Sequence, residues 1–249
     1  MKRLLLFALL GLLVVGLVVG GCSKKPVKVR VATDATWPPF EIVNEQSKAI
    51  EGFDIDLFNA IAQKAGIELE FINVAFDPLL AGIAGCQYDA AISSITITEE
   101  RKKSMNFSDP YFAAGQVVTV KADNAEITSK DQLTGKTVGA QIGTTGAIEI
   151  GKIQGATLKT YDDVGLAFQD LMNGQIAAVI ADNPLALDYV GKNPGKLKTV
   201  GPVFTEEYYG IVVCNKNADL LKKINEGLAA VKKEGTIEKL MEKWLKIKK

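Results

Sequence analysis

Arg101 stands at a revealing place in the sequence. In the stretch SSITITEERKKSMNFSDPYF it follows the hydroxyls of Ser93, Ser94, Thr96 and Thr98 and precedes a Ser-Asp-Pro turn. A guanidinium is a planar cation with paired N–H donors, and it grips a carboxylate or phosphate in bidentate fashion. Further on, the run from Gly143 to Gly146, with Thr144 and Thr145 inside it, opens a helical pattern. Hydroxyls and free backbone N–H groups at a helix start also attract an anion. Asp34 and Asp182 are isolated acids at two other strand ends, and Asp182 could hold an ammonium. A carboxylate beside an ammonium is the head of an α-amino acid. Trp37 and Phe76 read as walls for a side chain, and Asp34 beside them suits a cationic tip held partly by cation–π contact. Plainer alternatives stand for each. GTTG fits a phosphate or an ordinary helix start, Asp182-Asn183-Pro184 fits a simple N-cap, and Trp37 fits a core.

Positioning these residues requires strands that end near one another. VKVRVATD alternates and is rich in valine, which predicts a strand ending at Asp34. GFDIDLFNAIAQKAGI carries Ile55, Phe58, Ile61 and Ala62 at helical spacing, with Asp54 as the expected N-cap. IELEFINV predicts a second strand. FDPLLAGIAGC predicts a helix begun by Asp77 with Pro78 in its first turn, and YDAAISSITI predicts a third strand. The alternation restarts with GQVVTVKAD and runs through KTVGAQIG, TTGAIEIGKI, ATLKTYDD, VGLAFQDLMNGQ, IAAVIAD and NPLALDYVGK. TEEYYGIVVCNK reads as one late strand, followed by two amphipathic helices with Gly235 between them. Two α/β units without a long linker predict two lobes, and ligands of open α/β sheets sit beyond the carboxyl ends of the strands. Two such rims facing each other make a cleft, lined by Asp34, Trp37, Phe76, the stretch from Ser93 to Thr98, Gln141 to Thr145, and Asp182.

Composition narrows the function classes. Lys plus Arg equals Asp plus Glu at 29 each, so no basic excess draws nucleic acid. Histidine is absent, which removes most triad hydrolases and most zinc sites. No cofactor and no metal are expected. Cys86 and Cys214 form no CxxC pair; they could pair with each other, but two buried free thiols is the favoured reading. Residues 1–21 have a basic start, an apolar middle from Leu4 to Val19 and a small-residue end, the pattern of a secretory signal. Val19-Gly20-Gly21-Cys22 resembles the bacterial lipobox, which implies a mature chain lipidated at Cys22 and held at an extracytoplasmic membrane face. Removing residues 1–21 deletes only Lys2 and Arg3, leaving 27 basic against 29 acidic side chains, a net charge of −2. Residues 22–26 then form a short polar tether.

GFDIDLFNAIA, SSITITEERKKSMNFSDPYF, VGAQIGTTGA and AAVIADNPLALDYV together resemble the signature segments of the polar amino-acid family, family 3, of ABC-transporter solute-binding proteins. They occur in the family's order and at its spacing, and the similarity covers residues 27–246. The resemblance implies an α/β, two-lobed periplasmic-binding-protein fold (type II), with 27–111 and 208–249 as lobe 1, 115–204 as lobe 2, and hinges near 111–115 and 205–211. It implies that Arg101 clamps a ligand α-carboxylate, that Ser94 and Thr96 serve the ammonium and carboxylate, and that Thr145 adds a carboxylate contact from the other lobe. Asp182 matches the acid that pairs with the ammonium, while Asp34, Trp37 and Phe76 match positions that meet the ligand's side chain. Gln141 matches a side-chain-facing position that varies in the family. Ala181 stands where glutamine-binding members often carry histidine. The implied ligand order is therefore arginine or lysine, then glutamine, then histidine. A membrane permease is the implied partner, with cleft closure the signal it recognises. Two other roles use the same scaffold: a dehydratase of cyclic amino-acid precursors, which needs a tuned general acid in the cleft, and a sensor subunit that presents its ligand to a receptor.

Overall fold

The structure, a computed structural model, describes residues 28–245. The signal segment, Cys22 and the tether lie outside the described residues. The chain opens with β1 (Val29–Thr33), whose inner half is buried. A small antiparallel ribbon follows, made of β2 (Thr36–Trp37), β3 (Glu41–Val43) and β4 (Ile50–Glu51). Then come α1 (Phe53–Ala65), β5 (Leu69–Asn73), α2 (Phe76–Ala84), β6 (Ala90–Ala91), the single turn α3 (Glu99–Lys102) and β7 (Asn106–Phe107). The chain crosses over through β8 (Phe112–Ala114). It then builds β9 (Gln116–Lys121), a 3-10 turn at Lys130–Gln132, β10 (Thr137–Gln141), α4 (Thr145–Gly151), β11 (Thr157–Tyr161), α5 (Val164–Met172), β12 (Ala178–Asp182), α6 (Asn183–Lys192) and β13 (Leu197–Val200). It returns through β14 (Glu207–Tyr209) to β15 (Val212–Val213), α7 (Ala218–Lys233) and α8 (Thr236–Trp244).

Two five-stranded mixed sheets result, in the orders β5-β1-β6-β15-β7 and β11-β10-β12-β9-β13. In each, three parallel strands are extended by antiparallel ones, and the antiparallel neighbour of the parallel set lies beside a crossover: β15 just after the return, β9 just after the outward crossing. The crossing strands β8 and β14 pair with each other antiparallel, with Tyr209 opposite Phe112. Phe40, Phe53, Tyr111, Phe112 and Tyr209 pack as an aromatic cluster at this crossing, with ring centroids 5.1–6.4 Å apart.

Helix α1 shows how the core is built. Leu57, Phe58 and Ile61 are fully buried, and each such burial contributes about 1.5–3 kcal/mol relative to exposure. The helix packs on α7 at Gly227, where a Cβ would lie 2.7 Å from the Ile61 carbonyl oxygen. Among the described residues no helix is long and apolar enough to cross a membrane.

Several local readings of the sequence are corrected. Helix α1 begins at Phe53 after Gly52 (φ 143°), so Asp54 is not its N-cap; that carboxylate turns inward instead. Helix α2 begins at Phe76 after Ala75, with Asp77 in its first turn. The third strand is only Ala90–Ala91, because Ser94 adopts φ 48° and takes the chain out of the sheet. The late strand is two, β14 and β15, on different sheets.

Cys86 and Cys214 are not free thiols. They form a disulfide, with Cα atoms 5.1 Å apart across a sequence separation of 128. Their ends meet because β15 returns to the first sheet beside β6, so the bridge closes a loop around the whole second unit. Long loops confine the unfolded chain most, and such a bridge contributes about 2–4 kcal/mol. The Cys86→Ser/Cys214→Ser double variant is expected to melt roughly 4–16 °C lower by differential scanning calorimetry. A melting temperature equal to that of the oxidised protein would show that the bridge contributes nothing.

Candidate functional site

The rims of the two sheets meet in a cavity lined by Asp34, Trp37, Phe76, Ser93, Ser94, Thr96, Arg101, Thr144, Thr145 and Asp182. Ten of the eleven candidate ligand residues therefore share one enclosure. Gln141 is the exception. It sits behind the wall, where its Nε2 donates to Asp34 Oδ2 at 2.7 Å and to the Asp162 carbonyl at 2.9 Å.

Arg101 reaches the site from α3, whose N-cap Thr98 accepts from the Arg101 N–H at 3.1 Å. Its guanidinium donates to the Thr96 carbonyl at 2.7 Å and, across the cleft, to the Gly143 carbonyl at 2.9 Å. It also lies 5.5 Å from the centroid of the Phe76 ring. Burial lowers its pKa to about 10, opposed by Asp182 and Glu207, so it stays a cation at neutral pH. A further bond spans the cleft, Gln141 to Asp34, and Thr96 Oγ1 approaches Thr145 Oγ1 across it at 3.4 Å. The protein is thus in a closed arrangement.

Asp182 ends β12 directly opposite Gln116 of β9. It occupies the N-cap position of α6 yet makes no capping bond. Its carboxylate instead accepts from Gln116 Nε2 and from the Tyr209 hydroxyl. Burial raises its pKa to about 7, helped by the Glu207 charge and opposed by those donors and by Arg101. Asp34 accepts from Thr36 Oγ1, the Phe76 N–H and Gln141, and burial still raises its pKa.

The hydroxyl ledge comes from the abrupt turn at Ser94. Ser93 Oγ accepts from the Asp34 N–H at 2.9 Å, and the Ser94 N–H donates to Asp54 at 2.8 Å. Ser94 Oγ and Trp37 Nε1 are buried with no partner among the described residues, and both side chains belong to the cavity lining. A buried polar group left unpaired in this way costs about 1–3 kcal/mol, which a bound polar molecule would recover. Thr144 caps α4, its Oγ1 accepting from the Ala147 N–H at 3.3 Å.

Sequence reasoning missed Glu207, Gln116 and Tyr209. Glu207 Oε2 accepts from Thr96 Oγ1 at 2.8 Å and Thr145 Oγ1 at 2.7 Å, while Oε1 accepts from Thr205 at 2.8 Å. One carboxylate on a crossing strand therefore joins a hydroxyl from each rim. The period of two in a strand puts Glu207 and Tyr209 on one face, a signal present in EEYYG. Among the described residues no cluster of acids or cysteines has the makings of a metal site.

The sequence description of bacterial extracellular solute-binding proteins, family 3, matches residues 29–247. The L-cystine-binding protein TcyJ of Escherichia coli (strain K12) is 34% identical over 251 residues, covering 95% of this chain and 94% of that protein. The ABC transporter arginine-binding protein 1 of the same strain is 35% identical, covering 98% and 99%. An ancestral arginine-binding protein solved bound to arginine superposes with a TM-score of 0.83 at 45% identity, covering 87% of this chain and 97% of that one.

Proposed function

Since the chain belongs to the bacterial extracellular solute-binding proteins, family 3, and has the two-lobed α/β fold of type II periplasmic binding proteins, we propose that it captures a polar L-amino acid in this cavity and delivers it to an ABC permease. The observation that carries the reading is that Arg101 from one rim and Asp182 from the other line one small enclosure. The guanidinium binds the α-carboxylate and Asp182 binds the α-ammonium. Thr96 and Thr145 have already committed their hydroxyl protons to Glu207, so they can only accept, which suits the ammonium as well. The ledge at Ser93 and Ser94 and the N–H groups around Thr144 complete the head-group shell, while Asp34, Trp37 and Phe76 meet the side chain, with Gln141 holding Asp34 in place.

Arginine or lysine is the favoured ligand, glutamine next and histidine third. Asp34, Asp182 and Glu207 set three carboxylates in or behind the walls against the single guanidinium of Arg101. Excess negative charge in a buried site is met best by a ligand with net positive charge. The named arginine binders among the relatives support this order, and the cystine binder adds cystine to the set to test. Binding favours the closed cleft, because one small ligand reaches Arg101 and Asp182 together only when the two rims are close. Cys22 serves as the lipid attachment point after loss of residues 1–21, holding the protein at an extracytoplasmic surface; Cys22→Ser is expected to abolish incorporation of labelled palmitate.

A thermal-shift screen of the twenty amino acids and cystine tests the assignment. A selective rise with arginine or lysine is expected, since ligand at 100 times its Kd stabilises by about 2.7 kcal/mol. No response to any of them would refute the reading. Glu207→Gln removes a charge that holds the Asp182 proton, so the pH midpoint of arginine binding, measured by titration calorimetry, is expected to move below the wild-type midpoint. An unmoved midpoint would separate Glu207 from the head-group site.

A further inference from the structure

Beneath the Ser93–Ser94 ledge lie two carboxyl groups that the binding scheme does not use. Glu41 of β3 and Asp54 of α1 are both fully buried. The chain presses them together: the Phe53 N–H donates to the Pro39 carbonyl at 3.1 Å, the Asp54 N–H donates to the Phe40 carbonyl at 3.0 Å, and a Cβ at Gly52 would lie 2.0 Å from Phe40 O. One oxygen of each carboxyl is provided for. Glu41 Oε1 accepts from Ser93 Oγ at 3.2 Å; Asp54 Oδ2 accepts from the Ser94 N–H at 2.8 Å and the Tyr111 hydroxyl at 2.7 Å. The other two, Glu41 Oε2 and Asp54 Oδ1, have no donor among the described residues. No lysine or arginine forms an ion pair with either acid among the described residues. The titratable groups around the pair are Asp34, Tyr111 and Tyr209, none of them a cation.

Two adjacent carboxylates in a dry interior cannot both be ionised without a counter-charge. A single proton on Glu41 Oε2, donated to Asp54 Oδ1, satisfies both orphan oxygens at once. Glu41 is the better holder of the proton, because Asp54 has two strong donors stabilising its charge and Glu41 has one long one.

We infer that Glu41 and Asp54 share one proton and act as a positioning pair that braces the Ser93–Ser94 ledge on one side and Tyr111, at the crossing between the lobes, on the other. Burial and the Asp54 charge push Glu41 well above the usual carboxylate range, in keeping with that assignment. The pair joins the cavity to the hinge through one chain of bonds, from Ser94 N–H through Asp54 to Tyr111 OH. The role assigned to the ledge rests on the amino-acid reading; the shared proton does not.

The test uses the ligand-free full chain and compares wild type, Glu41→Gln and Glu41→Ala. The infrared difference spectrum of wild type minus Glu41→Gln, taken at pH 8, is expected to show the C=O stretch of a protonated carboxylic acid. A folded pKa above the unfolded value makes stability fall as pH rises from the unfolded value towards the folded one, so wild type is expected to lose stability over that window and Glu41→Gln to lose less. The glutamine amide replaces the shared proton, so Glu41→Gln is expected to hold arginine within about twofold of wild type, whereas Glu41→Ala, which strands Asp54 and Ser93, weakens it roughly 10–100-fold. Absence of the acid band, or equal damage from glutamine and alanine, would overturn the inference. A wild type with the acid band but no amino-acid response would refute the binding assignment and leave the shared proton standing.

Discussion

Replacing Arg101 by alanine is expected to weaken amino-acid binding by about 30-fold or more. The guanidinium is the cation that lines the cavity, and a ligand carboxylate left there without it would be buried and unpaired. Truncating one partner of a buried, hydrogen-bonded charge pair costs about 2–5 kcal/mol, and 1.4 kcal/mol is a factor of ten in Kd. Arg101 also ties the rims through the Gly143 carbonyl, so its loss weakens closure before any ligand arrives. Lysine at this position restores the charge without the fork, and Arg101→Lys is expected to fall between alanine and wild type. Titration calorimetry reads both, with circular dichroism confirming the fold. Wild-type affinity in Arg101→Ala would remove the carboxylate clamp from the account.

The second large effect is a pH dependence with a definite sign. Asp182 has its folded pKa raised to about 7 in the ligand-free protein, chiefly by burial. Pairing with an ammonium requires its ionised form. Below pH 7 the protein must release a proton to bind, so affinity is expected to fall up to about tenfold for each pH unit below 7 and to level off above it. Stability of the ligand-free protein runs in the matching direction: the folded chain holds this proton more tightly than the unfolded chain, whose value is 3.8, so Asp182 destabilises the fold as pH rises from about 4 to about 7. Asp182→Asn is expected to abolish the pH dependence of affinity, to remove the Asp182 share of the pH dependence of stability, and to weaken binding at pH 8 by roughly 100-fold. Calorimetry in two buffers of different ionisation enthalpy counts the released proton. A pH-independent Kd between pH 5 and 8 would contradict the role given to Asp182.

The sequence carried the fold well because its signals are periodic. Strand–helix alternation from Val29 to Met172 survives in the two sheets, and the terminal helices α7 and α8 lie where their amphipathic spacing puts them. Strand-end polar groups were legible for the same reason: in each sheet the parallel strands bring their carboxyl ends to one rim, and Asp34 and Arg101 from one rim line the same cavity as Asp182 from the other. What escaped has no periodic signature. Ser94 leaves the sheet because Asp54, 40 residues away in sequence, takes its N–H, and no local propensity announces that. The Cys86–Cys214 bridge depends on where β15 returns, a matter of topology alone. Gln141 lies one layer deeper than its neighbours because its amide spans Asp34 and the Asp162 carbonyl. Glu207 looked like one charge among several in TEEYYG, and its importance comes entirely from the two threonines that converge on it.

The most direct measurement is a crystal structure of the protein with the amino acid that raises its melting temperature most. A ligand carboxylate in bidentate contact with Arg101 is expected, with the α-ammonium against Asp182 and hydroxyls of both rims alongside. A ligand bound there with Arg101 still occupied only by the Thr96 and Gly143 carbonyls, and Asp182 only by Gln116 and Tyr209, would contradict it.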